Sequence, residues 1–266
     1  MFTRARGRAS TWRHALALLG LAIMAVSLVW LQMLPKRERP ATRSARAVQP
    51  GPVSLVVIDA GHGGQDSGAI RNGVAEKDLT LDVAQRVERL AQAQGFATVM
   101  TRRGDETVSL AGRAAAANRQ RDCVFVSIHF DEGARTEASG VGTFYAARQA
   151  VKTSLPAWLP FLRPASTAGN FESQSLAGFM QDALVEGTQA FNRGTRAEQF
   201  YVVANVRHPA VLVEGGFLSN PEDVMKLTSE VYREQLAAAI TDGLVRYREV
   251  AGQRQPTLAV STAAAE

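Results

Sequence analysis

Three short apolar runs in this chain each lead to a residue that carries an imidazole or a carboxylate. The first run, residues 53–58, is rich in β-branched side chains and is followed by a glycine-rich turn that holds His62. The second run ends at His129 and the third ends at Glu214. Runs of this length and composition are typical of buried strands. Because a strand end is a rigid mount, the pattern favours a fold that collects polar groups along one edge of a sheet.

Strand patterns alternate with helical patterns from residue 53 onward. We predict strands at residues 53–58, 97–101, 124–128, 141–146, 200–203 and 210–213, and helices at residues 79–90, 110–120, 175–187 and 231–247. Ser109 is placed to cap the second helix. Such alternation predicts the α/β class, here a single domain with a mostly parallel sheet flanked by helices.

The N-terminal part of the chain has the composition of a membrane-targeting segment. Residues 1–13 are basic, and residues 15–34 contain no charged side chain. A helix of that length spans about 30 Å, which matches the hydrocarbon core of a bilayer. We therefore predict a signal anchor in residues 1–34, and basic residues on both sides of the apolar stretch leave its orientation open. Export with cleavage of a signal peptide stays open as the alternative.

The composition of the remaining residues predicts a linker, a folded domain and a C-terminal tail. Residues 35–52 are rich in Pro, Arg, Ala and Ser and are predicted to form a linker. A folded domain is predicted at residues 53–250, with a surface insertion at residues 148–172 that contains three prolines. Residues 251–266 are low in complexity and are predicted to be disordered.

The basic character of the chain belongs to its N-terminal extension. The formal net charge is +5, yet residues 1–52 alone contribute +8 and the remainder contributes −3. A nucleic-acid-binding domain would be expected to carry its excess of positive charge in the folded part. We therefore predict no nucleic-acid partner.

Two histidines and one carboxylate match the ligand types of a catalytic zinc site. Such sites typically use three protein ligands and leave one position to water. His62, Glu76 and His129 fit that inventory, and Glu214 is a candidate general base beside the metal. On residue types alone each histidine is equally compatible with a hydrogen-bonded structural role, and Glu214 with a salt bridge or a helix cap.

Three further polar residues are candidates for supporting roles around this site. Asp59 and Asp131 are placed to orient the ligand histidines, or else to cap turns. His208 precedes the last strand and is a candidate for the lining of the cleft, or else an ordinary loop histidine.

The chain from residue 53 to about residue 247 resembles a known family of enzymes. The motifs that carry the resemblance occur in family order at residues 58–64, 76–78, 127–129, 175–177, 193–194, 200–203, 209–214 and 216–221, together with Asp66 and Gly68. On these motifs the chain is similar to the zinc-dependent N-acetylmuramoyl-L-alanine amidases of the bacterial cell wall, the amidase-3 family.

The resemblance implies a specific reaction and a specific set of roles. It implies Zn²⁺ held by His62, Glu76 and His129, and Glu214 as the general base and acid. The substrate is then peptidoglycan, cleaved by activated water at the amide between the lactyl group of N-acetylmuramic acid and L-alanine. It also implies that the folded part lies outside the inner membrane in the cell envelope, and it allows for an activator protein that the sequence does not identify.

Two departures from the family pattern, and two rival functions, follow from the same comparison. Phe130 stands where the family usually has a small residue, and residues 148–172 are shorter than the segment that covers the zinc in many relatives. The rivals are a zinc exopeptidase that cuts wall peptides and a catalytically silent wall-binding regulator.

Overall fold

The computed structural model of the protein describes residues 53–149 and 170–253. The predicted signal anchor, the linker, most of the insertion and the tail beyond residue 253 lie outside the described residues. Within the two described ranges, no helix has the length and apolar character needed to cross a membrane.

The described residues alternate between strands and helices, as expected for the α/β class. The strands are β1 (Leu55–Ala60), β2 (Ile70–Arg71), β3 (Val74–Ala75), β4 (Ala97–Met100), β5 (Val124–Asp131), β6 (Val141–Tyr145), β7 (Asn192–Ala197) and β8 (Ala210–Phe217). The helices are α1 (Glu76–Ala93), α2 (Leu110–Asn118), α3 (Phe171–Thr188), α4 (Tyr201–Ala204), α5 (Pro221–Thr228) and α6 (Glu230–Gln253).

One mixed sheet of six strands, in the order β4-β1-β5-β8-β6-β7, forms the centre of the domain. The strands β4, β1, β5 and β8 are parallel, and β6 runs antiparallel to β8 while it pairs in parallel with β7. The carboxyl ends of β1, β5 and β8 therefore lie at the same edge. The predicted α/β architecture with a mostly parallel sheet is confirmed.

The two faces of this sheet are covered unequally. Side chains at alternate positions of β1, β5 and β8 pack into a large core with α1, α3 and α6. The opposite face packs into a smaller core with α2 and α4. Because α2 and α4 have only nine and four residues, this second face stays open near the carboxyl ends of the strands. Side chains two residues apart in a strand share a face of the sheet. The second face therefore carries Asp59, Ser127, Leu212 and Glu214.

Two secondary-structure predictions are wrong at neighbouring segments. Residues 200–203, predicted as a strand, form helix α4 instead. Both sides of β8 are already occupied by β5 and β6, so this apolar run packs Val202 and Val203 onto the sheet face. The edge strand β7 was not predicted, because Asn192–Ala197 has no alternation of apolar and polar side chains.

The remaining boundaries differ from the prediction by a few residues. Helix α3 begins at Phe171, inside the predicted insertion, and α6 extends to Gln253, inside the predicted tail. A short hairpin, β2–β3, precedes α1 and was also missed. Its turn residues Asn72 and Gly73 both have positive φ, which is the Asn-Gly signature of a two-residue hairpin turn.

Candidate active site

The tertiary structure brings His62, Glu76 and His129 together at the carboxyl edge of the sheet. His62 follows β1, His129 lies in β5, and Glu76 is the first residue of α1. Nε2 of His62 lies 3.0 Å from Oε1 of Glu76, and Nδ1 of His129 lies 3.1 Å from each of these two atoms. Three donor atoms from three separate parts of the chain thus point at one centre.

The spacing of these atoms fits a zinc ion. Zinc–ligand bonds of 2.0–2.2 Å in a tetrahedral arrangement place neighbouring ligand atoms about 3.3 Å apart. The three separations of 3.0–3.1 Å are close to that value. Two imidazole nitrogens and one carboxylate oxygen are also a common ligand set of catalytic zinc. The residues present therefore fit the metal that the sequence predicts.

His62 is oriented by Asp66, four residues later in the same turn. Nδ1 of His62 lies 2.9 Å from Oδ2 of Asp66. In the neutral form of the ring, which is the form that binds a cation, this contact assigns the proton to Nδ1 and leaves the Nε2 lone pair directed toward the three-atom centre. Burial lowers the pKa of His62, but the hydrogen bonds and charges of Glu76 and Asp66 outweigh burial and raise the pKa above its ordinary value.

Two buried arginines hold the backbone around His62. Arg113 donates to Asp59 Oδ1 at 2.7 Å, to the Ala60 carbonyl at 2.5 Å and to the His62 carbonyl at 2.5 Å. Arg102 donates to the carbonyls of Ala60 and Gly61 at 3.0 and 2.8 Å. His62 itself has φ 58°, a left-handed conformation that costs energy in a residue other than glycine. The arginines stabilise that conformation.

Glu76 is fixed by backbone donors on both carboxylate oxygens. Oε2 accepts from the Ala69 N–H at 3.0 Å, and Oε1 accepts from the Phe130 N–H at 3.0 Å. Burial raises the pKa of Glu76, but the hydrogen bonds from His129, His62 and Phe130 reverse that effect and hold it well below its usual range. The carboxylate is therefore ionised and ready to bind a cation.

Glu214 lies beside this centre without belonging to it. It is the register partner of His129 in the neighbouring strand β8. Its Oε2 atom is buried and has no hydrogen-bond partner in the described part of the chain. Burial, followed by the negative charges of Asp131 and Glu76, raises the pKa of Glu214 well above its ordinary value. Burying a carboxyl group without a hydrogen-bond partner costs folding free energy, and such groups concentrate at functional sites.

A cleft of about 470 Å³ opens over these residues on the thinly covered face of the sheet. His62, His129 and Glu214 line its floor together with Asp66 and Arg113. Its walls come from the segments at α2 and α4 and include Val108, Leu110, Phe200, Tyr201 and Val202. Leu110, Phe200 and Tyr201 are exposed, so the cleft offers apolar surface next to the polar centre.

Gly61 leaves the space that the His129 ring occupies. A Cβ atom at Gly61 would lie 2.4–2.7 Å from three ring atoms of His129, closer than real Cβ contacts allow. We expect Gly61→Ala to displace the imidazole and to weaken zinc binding at least tenfold, since ligand position decides affinity. Zinc titration by isothermal calorimetry measures the effect.

Gly178→Ala is the matched control for this substitution. A Cβ atom at Gly178, in the interior of α3, meets nothing within 4 Å, and alanine is favoured over glycine in helices. We expect the control to bind zinc like the wild type and to be slightly more stable. Wild-type zinc affinity in a folded Gly61→Ala variant would contradict the position assigned to His129.

The structure gives Asp59 and Asp131 different roles from those suggested by the sequence, and for His208 it agrees with the alternative of an ordinary loop histidine. Asp59 does not contact a ligand histidine; it accepts from Arg113, Thr101 and Ser127. Asp131 acts on Glu214 through its charge. His208 is buried and is not among the residues that line the cleft. Asp66, Gly61 and Arg102 were missed as positioning residues, although Asp66 follows His62 at a spacing that allows contact.

The fold and the site together define a metal-dependent hydrolase: an α/β sheet presents two histidines and a carboxylate at one edge, with a second acid beside them. Residues 56–246 match the family Amidase_3, described as N-acetylmuramoyl-L-alanine amidase, and the chain belongs to that family.

Similar proteins carry the same description. The chain is 36% identical over 193 residues to N-acetylmuramoyl-L-alanine amidase LytC of Bacillus subtilis, which covers 72% of this chain and 35% of LytC. It matches the crystal structure of an N-acetylmuramoyl-L-alanine amidase from Clostridium difficile 630 with a TM-score of 0.64 and 30% identity, over 75% of this chain and 98% of that one. It also matches the CwlD amidase of Clostridioides difficile, solved in complex with the GerS lipoprotein, with a TM-score of 0.63 and 26% identity, over 74% of this chain and 99% of that one.

Proposed function

We propose that this protein is a zinc-dependent amidase that cleaves the bond between the lactyl group of N-acetylmuramic acid and L-alanine in peptidoglycan. The observation that carries the proposal is the convergence of His62, Glu76 and His129 within 3.1 Å of one another, with Glu214 on the adjacent strand. Family membership supports the choice of substrate and bond.

His62, Glu76 and His129 would hold the ion in this proposal. When bound, zinc supplies a Lewis acid that lowers the pKa of water to about 7 and polarises a carbonyl oxygen. The protein contributes a rigid geometry: Asp66 orients His62, and two backbone N–H groups orient Glu76. Because these supports are in place before substrate binds, little reorganisation is needed during the reaction.

Glu214 moves the proton in this mechanism. Its carboxylate accepts a proton from the water that attacks the amide carbonyl, and it then donates that proton to the nitrogen of L-alanine as the C–N bond breaks. A cation held by the three donors would favour the ionised form of Glu214 and so oppose the rise in its pKa caused by burial. The buried position of Oε2 keeps competing hydrogen-bond donors away from it.

The location and the partners belong to the proposal as well. A peptidoglycan hydrolase acts outside the cytoplasmic membrane, in agreement with the basic and apolar residues 1–34 acting as an anchor or a signal peptide. We propose that an activator protein assists this enzyme; the structure of the CwlD amidase in complex with the GerS lipoprotein supports the view that a domain of this fold can bind a partner protein.

Digestion of purified sacculi tests the proposed reaction. We expect the zinc-loaded protein to release complete stem peptides that carry a free L-alanine amine, and to leave glycan strands with a free lactyl carboxylate. Mass spectrometry of both fractions identifies the products. The control is the same digestion after chelation.

The two rivals give different results in the same experiment. A zinc exopeptidase would release single amino acids or shortened peptides and leave L-alanine attached to the sugar. A silent regulator would bind the sacculi and release nothing, with zinc or without it. Either result would contradict the amidase reaction.

A further inference from the structure

Glu214 lies at the junction of two different surfaces. On one side is the cleft with its apolar walls, and on the other is a small groove that runs across β6 to the edge strand β7. We name this second surface the basic groove and define it by Gly142, Phe144, Arg193 and Arg196. It is not used by the mechanism described above.

The register of the strands places the basic groove in line with Glu214. Gly142 pairs with Glu214, and Phe144 in the same strand pairs with Arg196. Because side chains two residues apart share a face, Glu214, Gly142 and Arg196 lie on the same face of the sheet. Gly142 places no side chain on this part of the face, and a Cβ atom there would lie 3.6 Å from the Arg193 Cβ, next to the groove.

The two arginines reach the groove in different ways. The register shifts between Val141 and Thr143, which gives β7 one extra residue, and such bulges re-aim a side chain. Arg193, inside this irregular stretch, packs its guanidinium over the Phe217 ring at 4.6 Å and donates to the Ser139 carbonyl at 3.2 Å. Arg196 is exposed and forms no ion pair with any described residue.

The arginines of the groove suit an anionic group. Two acids, Asp131 and Glu214, also line the groove and offset the two positive charges, but neither arginine forms an ion pair with a described residue, so both keep N–H donors for a ligand. Its volume of about 20 Å³ admits a small polar group and no ring. A planar guanidinium is well matched to a carboxylate, which it binds through two parallel hydrogen bonds.

We propose that Arg193 and Arg196 bind a carboxylate of the stem peptide on the far side of the scissile amide from the sugar. The inference rests on the proposed function, since the peptide that begins with L-alanine carries free carboxylates on the residues that follow. It also sets the direction of the substrate: the peptide extends over Gly142 toward β7, and the sugar lies in the cleft near Phe200 and Tyr201.

The test compares Arg196→Gln with the wild type on two forms of peptidoglycan. One form is purified native material, and the other is the same material after its peptide carboxylates have been converted to amides. On the native form we expect the variant to lose about tenfold in kcat/KM through a higher KM, with kcat nearly unchanged, since binding that is equal in ground and transition states affects KM. On the amidated form we expect variant and wild type to be equal.

Arg121→Gln is the matched control. It removes the same charge from an exposed arginine that precedes β5, at the end of that strand opposite His129. We expect it to behave like the wild type on both forms. Combining Arg193→Gln with Arg196→Gln should deepen the loss on native material only.

Each other outcome is decisive. Equal kinetics of Arg196→Gln and wild type on native material would overturn the inference, and so would an equal loss on both forms, which would mean a general effect on the site. In both cases the wild type still cleaves peptidoglycan, and the proposed function stands. A wild type that cleaves neither form would instead contradict the proposed function itself.

Discussion

Glu214→Gln is expected to lower kcat about a thousandfold, within the range of 10²–10⁴ typical of a lost general base. Glutamine keeps the size of the side chain but accepts no proton from water at neutral pH. Zinc content and KM should change little, because Glu214 lies beside the three donor atoms and is not one of them. Steady-state kinetics on peptidoglycan, with metal analysis of the same preparation, measure all three quantities.

The same substitution is expected to leave the fold intact and to stabilise it. Burial raises the pKa of Glu214, so the folded protein at neutral pH either keeps a costly buried charge or takes up a proton to neutralise it. Glutamine keeps a polar atom at the same buried position but never ionises, so the melting temperature of the metal-free variant should equal or exceed that of the wild type. Loss of activity with retained stability is the pattern of a site residue that trades stability for function.

Glu249→Gln serves as the control, since Glu249 is exposed on α6 and forms no ion pair with the described residues. It should match the wild type in both activity and stability. If zinc-loaded Glu214→Gln hydrolyses peptidoglycan at nearly the normal rate, the proton transfer belongs to another group.

The second large effect is expected on removal of the metal. Chelation should abolish hydrolysis, and added zinc should restore it, because neither His62 nor His129 can replace a Lewis acid at the amide carbonyl. His129→Ala should give a protein that retains its fold but contains no stoichiometric zinc. Inductively coupled plasma mass spectrometry determines the zinc content, and peptide release determines the activity.

Zinc should also stabilise the native protein measurably. At a free zinc concentration one hundred times Kd the gain is about 2.7 kcal/mol, which corresponds to roughly 5–10 °C in the melting temperature of a domain of this size. Asp66→Asn is expected to bind zinc more weakly than the wild type and to gain less stability from it. Loss of a partner that orients a metal ligand typically costs 10–100-fold in metal affinity. Full hydrolysis by rigorously metal-free protein would exclude the proposed mechanism.

The strands that hold the site were predictable because their sequences are locally consistent. The apolar runs of β1, β5 and β8 are read as buried strands from composition alone, and all three lie at the centre of the sheet. Predictions failed where local pattern and tertiary context disagree. Residues 200–203 have the composition of a strand, but no strand position beside β8 is free, so they form α4 on the sheet face. The polar edge strand β7 has no pattern to detect.

The candidate site, like the fold, was only partly predictable from the sequence. The types and positions of His62, Glu76, His129 and Glu214 were available from the chain, since His129 and Glu214 follow apolar runs, His62 lies in a glycine-rich turn after another, and Glu76 begins a helical pattern. The distances between their side-chain atoms could not be predicted. The separation of 3.0–3.1 Å among the three donor atoms depends on how β1, β5 and α1 pack. The supporting residues show this most clearly: Asp59 was a candidate to orient a ligand histidine and Asp66 was not, and only the packing shows that Asp59 contacts Arg113 while Asp66 contacts His62.

By itself, the sequence determined the class of fold, the order of the central strands along the chain and the four polar groups on which the chemistry depends. Local patterns encode these properties, because periodicity and strand ends are features of neighbouring residues. The tertiary structure alone decided which acid orients His62, why Gly61 must lack a side chain and how Arg193 and Arg196 come to lie across Gly142 from Glu214. These contacts join residues distant in the chain, and their free energy depends on the folded packing, which no local pattern records.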